Sequence, residues 1–114
     1  MKNEAQEQKE VITWFWDKHK DLRRLLYHNY SNPPNKIQGA MLIGLGLVAG
    51  NPDLTLAIPR GGFGALYLEM KKVGGKPRPE QIKQMELLRS VGNKVEWADN
   101  ATDAIKIIEN YLSL

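Results

Sequence analysis

The stretch from residue 50 to residue 72, GNPDLTLAIPRGGFGALYLEMKK, reads as a β-hairpin. Two apolar runs, at 54–59 and 65–71, flank a turn that begins with Arg-Gly-Gly, and this pattern is typical of two paired strands. The hairpin therefore predicts a small sheet at the centre of the fold. Charged residues stand at its open end, where strand pairing does not require them.

The charged residues at the open end are Asp53, Glu69 and Lys71. Because side chains alternate faces along a strand, Glu69 and Lys71 share one face, and antiparallel pairing brings Asp53 beside them. Two carboxylates, a backbone carbonyl and waters form the hard oxygen site that Mg²⁺ prefers, and Mg²⁺ can activate water for attack on a phosphate. A weak ion pair at a strand end is the alternative interpretation of the E-x-K pattern alone.

The first helix is expected to run from Glu4 to Tyr27, with Asn3 as its N-cap and Gln6 in the capping-box position. Extending its apolar side backward at roughly 100° per residue brings Glu4 near the centre of that side and Glu7 near its edge. A carboxylate on a buried face needs a proton, a partner or a metal. The alternative is that Glu4 only complements the helix dipole, and the choice between Glu4 and Glu7 as the inward carboxylate stays open.

The rest of the chain adds three helices and one strand. Prolines, glycines and polar caps delimit them: a short helix at about 36–43, a helix from Pro79 capped by Gly92, a strand at Lys94–Ala98 and a final helix from Asn100 or Thr102. We see no linker and no internal repeat, so residues 1–114 are predicted to form one domain. The order α-(α)-β-β-α-β-α indicates an α/β fold with a small central mixed sheet flanked by helices.

The composition excludes several kinds of functional site. The chain has no cysteine, which excludes disulfides, thiolate metal sites and cysteine nucleophiles. No apolar run is long enough to cross a bilayer, and the charged N-terminal stretch is unlike a secretory signal, so a cytoplasmic location is expected. The aliphatic residues at 41–48 are expected to be buried, with a dimer interface as the second interpretation.

Positive charge is concentrated in the second half of the chain. The net charge is +3, but basic residues outnumber acidic ones between residues 60 and 89, and a local basic excess favours binding of a polyanion. A solvated lysine-rich surface is the alternative. The candidates for phosphate contacts are Arg60, Lys72, Lys76, Arg78 and Lys83. We interpret His19 and His28 as surface residues without a chemical role.

Together these motifs resemble the VRR-NUC (virus-type replication-repair nuclease) domains of the PD-(D/E)xK nuclease superfamily. The matching pieces follow the chain in order: E-x-x-x-Q at Glu4 and Gln8, G-x-P-D-L at 50–54, R-G-G at 60–62, L-x-L-E-M-K at 66–71, G-G-K at 74–76 and P-E-Q at 79–81. The P-D and E-x-K pieces alone form a weak pattern, whereas the whole series is specific and covers nearly the whole chain. The resemblance implies a PD-(D/E)xK, restriction-endonuclease-like fold.

The resemblance also implies a phosphodiesterase that acts on DNA with Mg²⁺ or Mn²⁺. The implied roles are, in chain order, Glu4 acting on the metal directly or through water, Asp53 and Glu69 binding the metal, the Met70 carbonyl as a third ligand, Lys71 as the catalytic lysine, and Gln81 positioning the lysine or the DNA. Small stand-alone members of the phage type resemble dimeric enzymes that cut branched DNA, including Holliday junctions. A homodimer of phage or bacterial origin is therefore expected.

Two other activities stay open: a less selective DNA nickase or exonuclease, and a catalytically silent DNA-binding module of the same fold. The chain also departs from the family pattern at several positions. Family members often carry an arginine in the segment that corresponds to 31–36 and basic residues where this chain has Ile43 and Val48. The serine usual before P-E-Q is Arg78 here.

Overall fold

The computed structural model describes residues 2–30 and 33–114. Residues 31 and 32, in the predicted break between the first two helices, lie outside it. The helices are α1 (Glu4–Lys18), α2 (Lys36–Gly44), α3 (Pro79–Ser90) and α4 (Ala101–Leu112). The strands are β1 (Leu26–His28), β2 (Leu54–Leu56), β3 (Leu66–Met70) and β4 (Lys94–Ala98), and a 3₁₀ helix spans Lys20–Leu25.

The strands form one sheet in the order β1-β2-β3-β4. β1 pairs with β2 and β2 with β3 in antiparallel fashion, whereas β3 and β4 are parallel. A parallel pair needs a crossover connection, and α3 provides it between β3 and β4. This small mixed sheet flanked by helices confirms the predicted fold class.

The predicted hairpin is present, with Leu54 opposite Leu68 and Leu56 opposite Leu66. Its strands are shorter than predicted, because the chain leaves the ladder before Pro59 and after Met70. The predicted strand Lys94–Ala98 and the N-cap of the last helix at Asn100 are also confirmed.

The first helix is shorter than predicted. It ends at Lys18, and the chain continues through the 3₁₀ helix into β1, an edge strand that was not predicted. His19 has a non-helical backbone (φ −118°, ψ 63°) and caps the helix, and Arg23 Nε donates to the Trp16 carbonyl at 2.8 Å. Pairing of Leu26 with Leu56 then buries a side chain that a continued helix would have placed elsewhere. Tertiary pairing here overrides helix propensity.

One face of the sheet forms the main core. The buried leucines and methionine of β2 and β3 pack against α1 and α4, which contribute Val11, Phe15, Ala104 and Ile108. Side chains alternate along β3, so Glu69 points to the opposite face from Leu68. That face carries the crossover helix α3, whose Met85 is buried.

The prediction that residues 41–48 are buried is wrong. Met41, Ile43 and Leu45 are 64%, 60% and 82% exposed. Gly39 lies close to Pro33, since a Cβ added at Gly39 would lie 3.2 Å from Pro33 Cγ. The helix presents most of its aliphatic side chains to solvent.

No helix in the described ranges 2–30 and 33–114 combines the length and apolar character that crossing a membrane requires.

Glu7 joins α1 to α4. Its side chain is 5% exposed, and Oε1 accepts a hydrogen bond from the Ala101 backbone N–H at 3.1 Å. The first N–H groups of a helix have no partner within the helix and favour negative charge. The buried carboxylate therefore caps α4 from a residue far away in sequence.

We predict that Glu7→Ala destabilises the fold by about 1–3 kcal/mol, because it leaves a buried N–H without its acceptor. The urea midpoint of unfolding measures this. Glu10→Ala is the control, since Glu10 is exposed and pairs only with the exposed Lys2 near that end of α1. Equal midpoints for the two variants would show that the contact between α1 and α4 contributes nothing.

Candidate active site

Two acidic residues face each other at the open end of the hairpin. Continuing the β2–β3 register by one residue sets Asp53 opposite Glu69. Asp53 Oδ2 accepts a hydrogen bond from the Met70 backbone N–H at 2.8 Å. Asp53 is 9% exposed and Glu69 1%. The hairpin therefore buries two carboxylates side by side.

Glu69 lacks the partners that a buried carboxylate requires. Neither of its oxygens has a hydrogen-bond partner among the described residues. Burial raises the pKa of Glu69 to about 9, and the adjacent Asp53 carboxyl adds to the rise. At neutral pH without a cation, Glu69 therefore holds a proton, which the neighbouring Asp53 can share.

Glu4 and Lys71 reach the same place from different elements. Both line a cavity of about 290 Å³ together with Asp53 and Gln81. Burial raises the pKa of Glu4, and the negative charge of Asp53 raises it further. The positive charge of Lys71 opposes the pKa rise at both Glu4 and Glu69. The lysine is thus electrostatically coupled to the carboxylates of this cavity.

The structure answers which helix carboxylate faces the cavity. Glu4 lines it, whereas Glu7 is more deeply buried and binds the N-terminus of α4. The expectation that Glu7 lies near the edge of the buried side is wrong. Glu4 is partly buried at the edge of the cavity, whereas Glu7 continues the buried row formed by Val11 and Phe15.

The first turn of α3 closes the cavity on one side. Gln81 is buried, and its Oε1 accepts a hydrogen bond from the Arg78 backbone N–H at 2.8 Å. Gly50 packs directly on this turn. Its φ is +79°, and a Cβ added at Gly50 would lie 2.9 Å from the Glu80 carbonyl oxygen. Any side chain at Gly50 would push α3 away, so the glycine of the G-x-P-D-L motif holds Gln81 next to the carboxylates.

The predicted phosphate-contact residues divide into two groups. Lys72, Lys76, Arg78 and Lys83 are exposed on the segment that runs from the end of β3 into α3. Arg78 lines the cavity. Arg60 lies in the turn at the closed end of the hairpin, where its Nη1 donates to the Pro59 carbonyl at 2.9 Å. Of the predicted phosphate contacts, Arg78 is thus the one that the structure places at the cavity.

A second concavity lies on the other side of Glu4 and Asp53. It has a volume of about 530 Å³, and Gln8, Lys9 and His28 form its far wall. Gln8 Nε2 lies 3.2 Å from His28 Nδ1. Sequence reasoning gave no role to His28 or Lys9. β1 was not predicted, because Leu26 and Tyr27 were read as the end of the first helix.

The donor set fits a divalent metal ion. Two buried carboxylates with unpartnered oxygens on Glu69 supply hard oxygen ligands and negative charge, as Mg²⁺ requires. Within the described ranges, no group of three His, Cys, Asp or Glu side chains is arranged as a ready-made metal site.

The same fold occurs in a solved structure described as a VRR_NUC domain protein. It superposes with a TM-score of 0.86 at 25% sequence identity, and the match covers 100% of this chain and 91% of that chain. The chain is therefore similar over its whole length to a VRR_NUC domain protein. The order of the VRR-NUC motifs along the chain agrees with this similarity, and a nuclease of the PD-(D/E)xK type is the activity class that it supports. No protein-family model and no curated protein matches the sequence.

The raised pKa of Glu69 predicts how the free energy of unfolding depends on pH. Its folded pKa of about 9 lies above the usual 4.5, so between these values the folded state holds a proton that the unfolded state has released. Metal-free stability is therefore lost as pH rises through this window. Glu69→Gln should remove the loss and stabilise the metal-free protein at pH 8 by about 1–3 kcal/mol.

Urea unfolding in chelator between pH 5 and pH 9 measures this effect. Glu86→Gln, at an exposed position on α3, is the matched control and should follow the wild type. The same pH dependence in wild type and Glu69→Gln would contradict a buried, protonated Glu69.

Proposed function

We propose that this protein is a nuclease of the VRR-NUC type, a Mg²⁺-dependent DNA endonuclease that hydrolyses phosphodiester bonds in branched DNA, with Holliday junctions as its expected substrate and a homodimer as its working form. Mn²⁺ is expected to substitute for Mg²⁺. The observation that carries the proposal is that Glu4, Asp53 and Lys71 line one cavity and that the charges of all three act on the buried Glu69. The likeness to a VRR_NUC domain protein supports the nuclease class.

The carboxylates of Asp53 and Glu69 would hold the metal, with the Met70 carbonyl as a third ligand. The Met70 N–H donates to Asp53, and the N–H and C=O of one strand residue point to the same side, which supports that ligand. Glu4 would act directly or through a bound water. When bound, Mg²⁺ supplies Lewis-acid polarisation of the phosphate and lowers the pKa of a water.

Lys71 supplies the positive charge of the site. An ammonium carries only donors, so it can orient the attacking water and stabilise the charge that develops on the phosphate oxygens. Gln81 keeps its amide N–H donors available, because its oxygen is engaged by the Arg78 backbone. Those donors can position Lys71 or a DNA phosphate.

We predict that Lys71→Ala lowers Mg²⁺-dependent cleavage of a synthetic four-way junction by at least about 100-fold, the usual effect of removing a group that stabilises transition-state charge. Junction binding should persist. Lys72→Ala is the matched control, because it removes the adjacent exposed lysine and should leave the cleavage step intact. Glu4→Gln should also slow cleavage, whereas near-normal activity would restrict Glu4 to the helix terminus.

Product mapping separates the rival activities. Paired cuts on the junction support the proposal, while single nicks or end-degradation on flap and linear DNA indicate a nickase or exonuclease. A wild-type protein that binds junctions but cuts none with Mg²⁺ or Mn²⁺ overturns the nuclease proposal and leaves a DNA-binding module.

The exposed face of α2 supports the homodimer. The exposed aliphatic side chains on and after this helix are Ile37, Met41, Ile43, Leu45 and Val48. Moving an aliphatic side chain out of water removes roughly 60–120 Å² of apolar surface, so these side chains supply on the order of 300–600 Å². A standard interface buries about 800 Å² per partner, of which roughly 500 Å² is apolar in homodimers.

The chemistry of this face favours a second copy of the chain over DNA. The helix, KIQGAMLIG, has Lys36 as its single charged residue, so it offers little to a polyanion. An isologous interface is self-complementary, and an uncharged aliphatic face meets that condition. A symmetric dimer also supplies the two sites that paired cuts in a four-way junction need.

We predict that Met41→Asp converts the dimer to a monomer, because it buries an unpaired charge in the interface. Light scattering coupled to size exclusion at micromolar concentration measures this. Leu87→Asp on α3 is the control, since Leu87 is 61% exposed and Met41 64%. A monomeric wild type overturns the dimer, and a dimeric Met41→Asp shows that α2 is not its interface.

A further inference from the structure

We propose that the concavity between α1 and β1 is a phosphate-binding subsite, in which Gln8, Lys9 and His28 hold the DNA backbone beside the scissile phosphate. The proposal rests on the proposed function and extends it, since Arg78, the sequence-predicted phosphate contact that lines a cavity, lies on the α3 side of the carboxylates. It concerns a different set of side chains on α1 and β1.

Position is the first argument. Glu4 and Asp53 line both the cavity of about 290 Å³ on the α3 side and the concavity of about 530 Å³ on the α1 side. The carboxylates therefore form the border between two hollows. A polymer whose phosphodiester reacts at this border has to leave it in two directions, and the α1 side is the larger open path.

The chemistry of the far wall is the second argument. The Gln8 amide nitrogen carries only donors, and it faces His28 Nδ1 at 3.2 Å. With Nδ1 engaged by Gln8, His28 keeps its second ring nitrogen, Nε2, for a contact with a phosphate oxygen. Lys9 adds an exposed ammonium to the same wall. Donors from three side chains match the oxygens of a phosphodiester.

The third argument is that His28 is fixed relative to the carboxylates. The residue after it, Asn29, donates its backbone N–H to the Asp53 carbonyl at 2.7 Å. The Asn29 amide nitrogen donates to the Pro52 carbonyl at 3.0 Å and to Thr55 Oγ1 at 2.7 Å. His28 itself pairs with Leu54 in the sheet. A contact held in this way is preorganised, so little side-chain freedom is lost when DNA binds.

The competing explanation is that the Gln8–His28 contact only holds β1 against α1. Such a structural contact contributes to stability and leaves DNA affinity and its salt dependence unchanged. A phosphate contact changes affinity, and a charged one also changes the salt slope. The two explanations therefore differ in an observable other than folding.

The experiment measures binding of a synthetic four-way junction to the full chain carrying Lys71→Ala, so that cleavage does not interfere. Adding Lys9→Ala should reduce the slope of log K against log salt by about 0.9, the value for one lost phosphate contact. Lys106→Ala is the matched control, since Lys106 is exposed on α4 and lines neither hollow. An unchanged slope for Lys9→Ala overturns the subsite.

His28 has its own test. His28→Ala should weaken junction binding by roughly 3–10-fold, in the range of one lost hydrogen bond, and His28→Gln, which keeps a donor, should recover part of it. Thermal unfolding of each variant is measured alongside. If His28→Ala lowers the melting temperature but leaves the affinity for the junction unchanged, the contact is only structural and the proposal fails.

The outcome is separable from that of the proposed function. Wild-type cleavage tests the nuclease, whereas these binding comparisons do not require a cut. If the chain binds junctions without cutting them, the nuclease proposal is overturned, but Lys9→Ala and His28→Ala can still change binding as expected. If cleavage is normal and the salt slope of Lys9→Ala is unchanged, only the subsite proposal is overturned.

Discussion

The hydrogen bond from the Met70 N–H to Asp53 Oδ2 holds the candidate site together. It joins the strand that ends in the E-x-K motif to the residue that begins the other strand, and so keeps Asp53 opposite Glu69. Register is demanding here, because a slip of one residue would turn Glu69 into the leucine-lined core and Leu68 toward the cavity. The alternation of leucines along β2 and β3 therefore positions the carboxylates as well as the core.

The burial of Glu69 beside Asp53 destabilises the folded protein. A carboxylate that is 1% exposed and lacks a hydrogen-bond partner among the described residues is expensive to bury. Residues in such a state are characteristic of functional sites, where the protein tolerates local destabilisation for the sake of chemistry. Gly50 shows the same priority in the backbone, since its positive φ and its contact with α3 serve only to bring that helix close.

Local signals predicted the fold well wherever they agreed with tertiary contacts. The hairpin, the strand Lys94–Ala98 and the caps at Asn3 and Asn100 follow from alternation and capping chemistry. The periodicity of α1 predicted that Glu4 faces inward, although the buried row itself runs through Glu7. These features depend on neighbours close in sequence.

The features that were missed depend on distant partners. β1 has only three residues, LYH, and exists because it pairs with β2. Glu7 looked like a peripheral acid because its partner, Ala101, lies 94 residues away. His28 could not be linked to the site for the same reason. The exposure of α2 was missed because an aliphatic run looks the same whether it packs in a core or against a second chain.

The geometry around Glu4 and Asp53 also bears on selectivity. A pair of carboxylates and a lysine can act on any phosphodiester, and both flanking hollows offer contacts suited to backbone rather than to base edges. Neither feature distinguishes a branched DNA from a linear one.

On the proposed function, preference for a branch must then come from how two sites are spaced and oriented. The chain that follows α2 supplies Ala49 and Gly50 to the wall of the cavity, so an interface built on α2 would lie within a few residues of each site. The apolar helix that looked like misplaced core is thus the element best situated to couple substrate shape to chemistry.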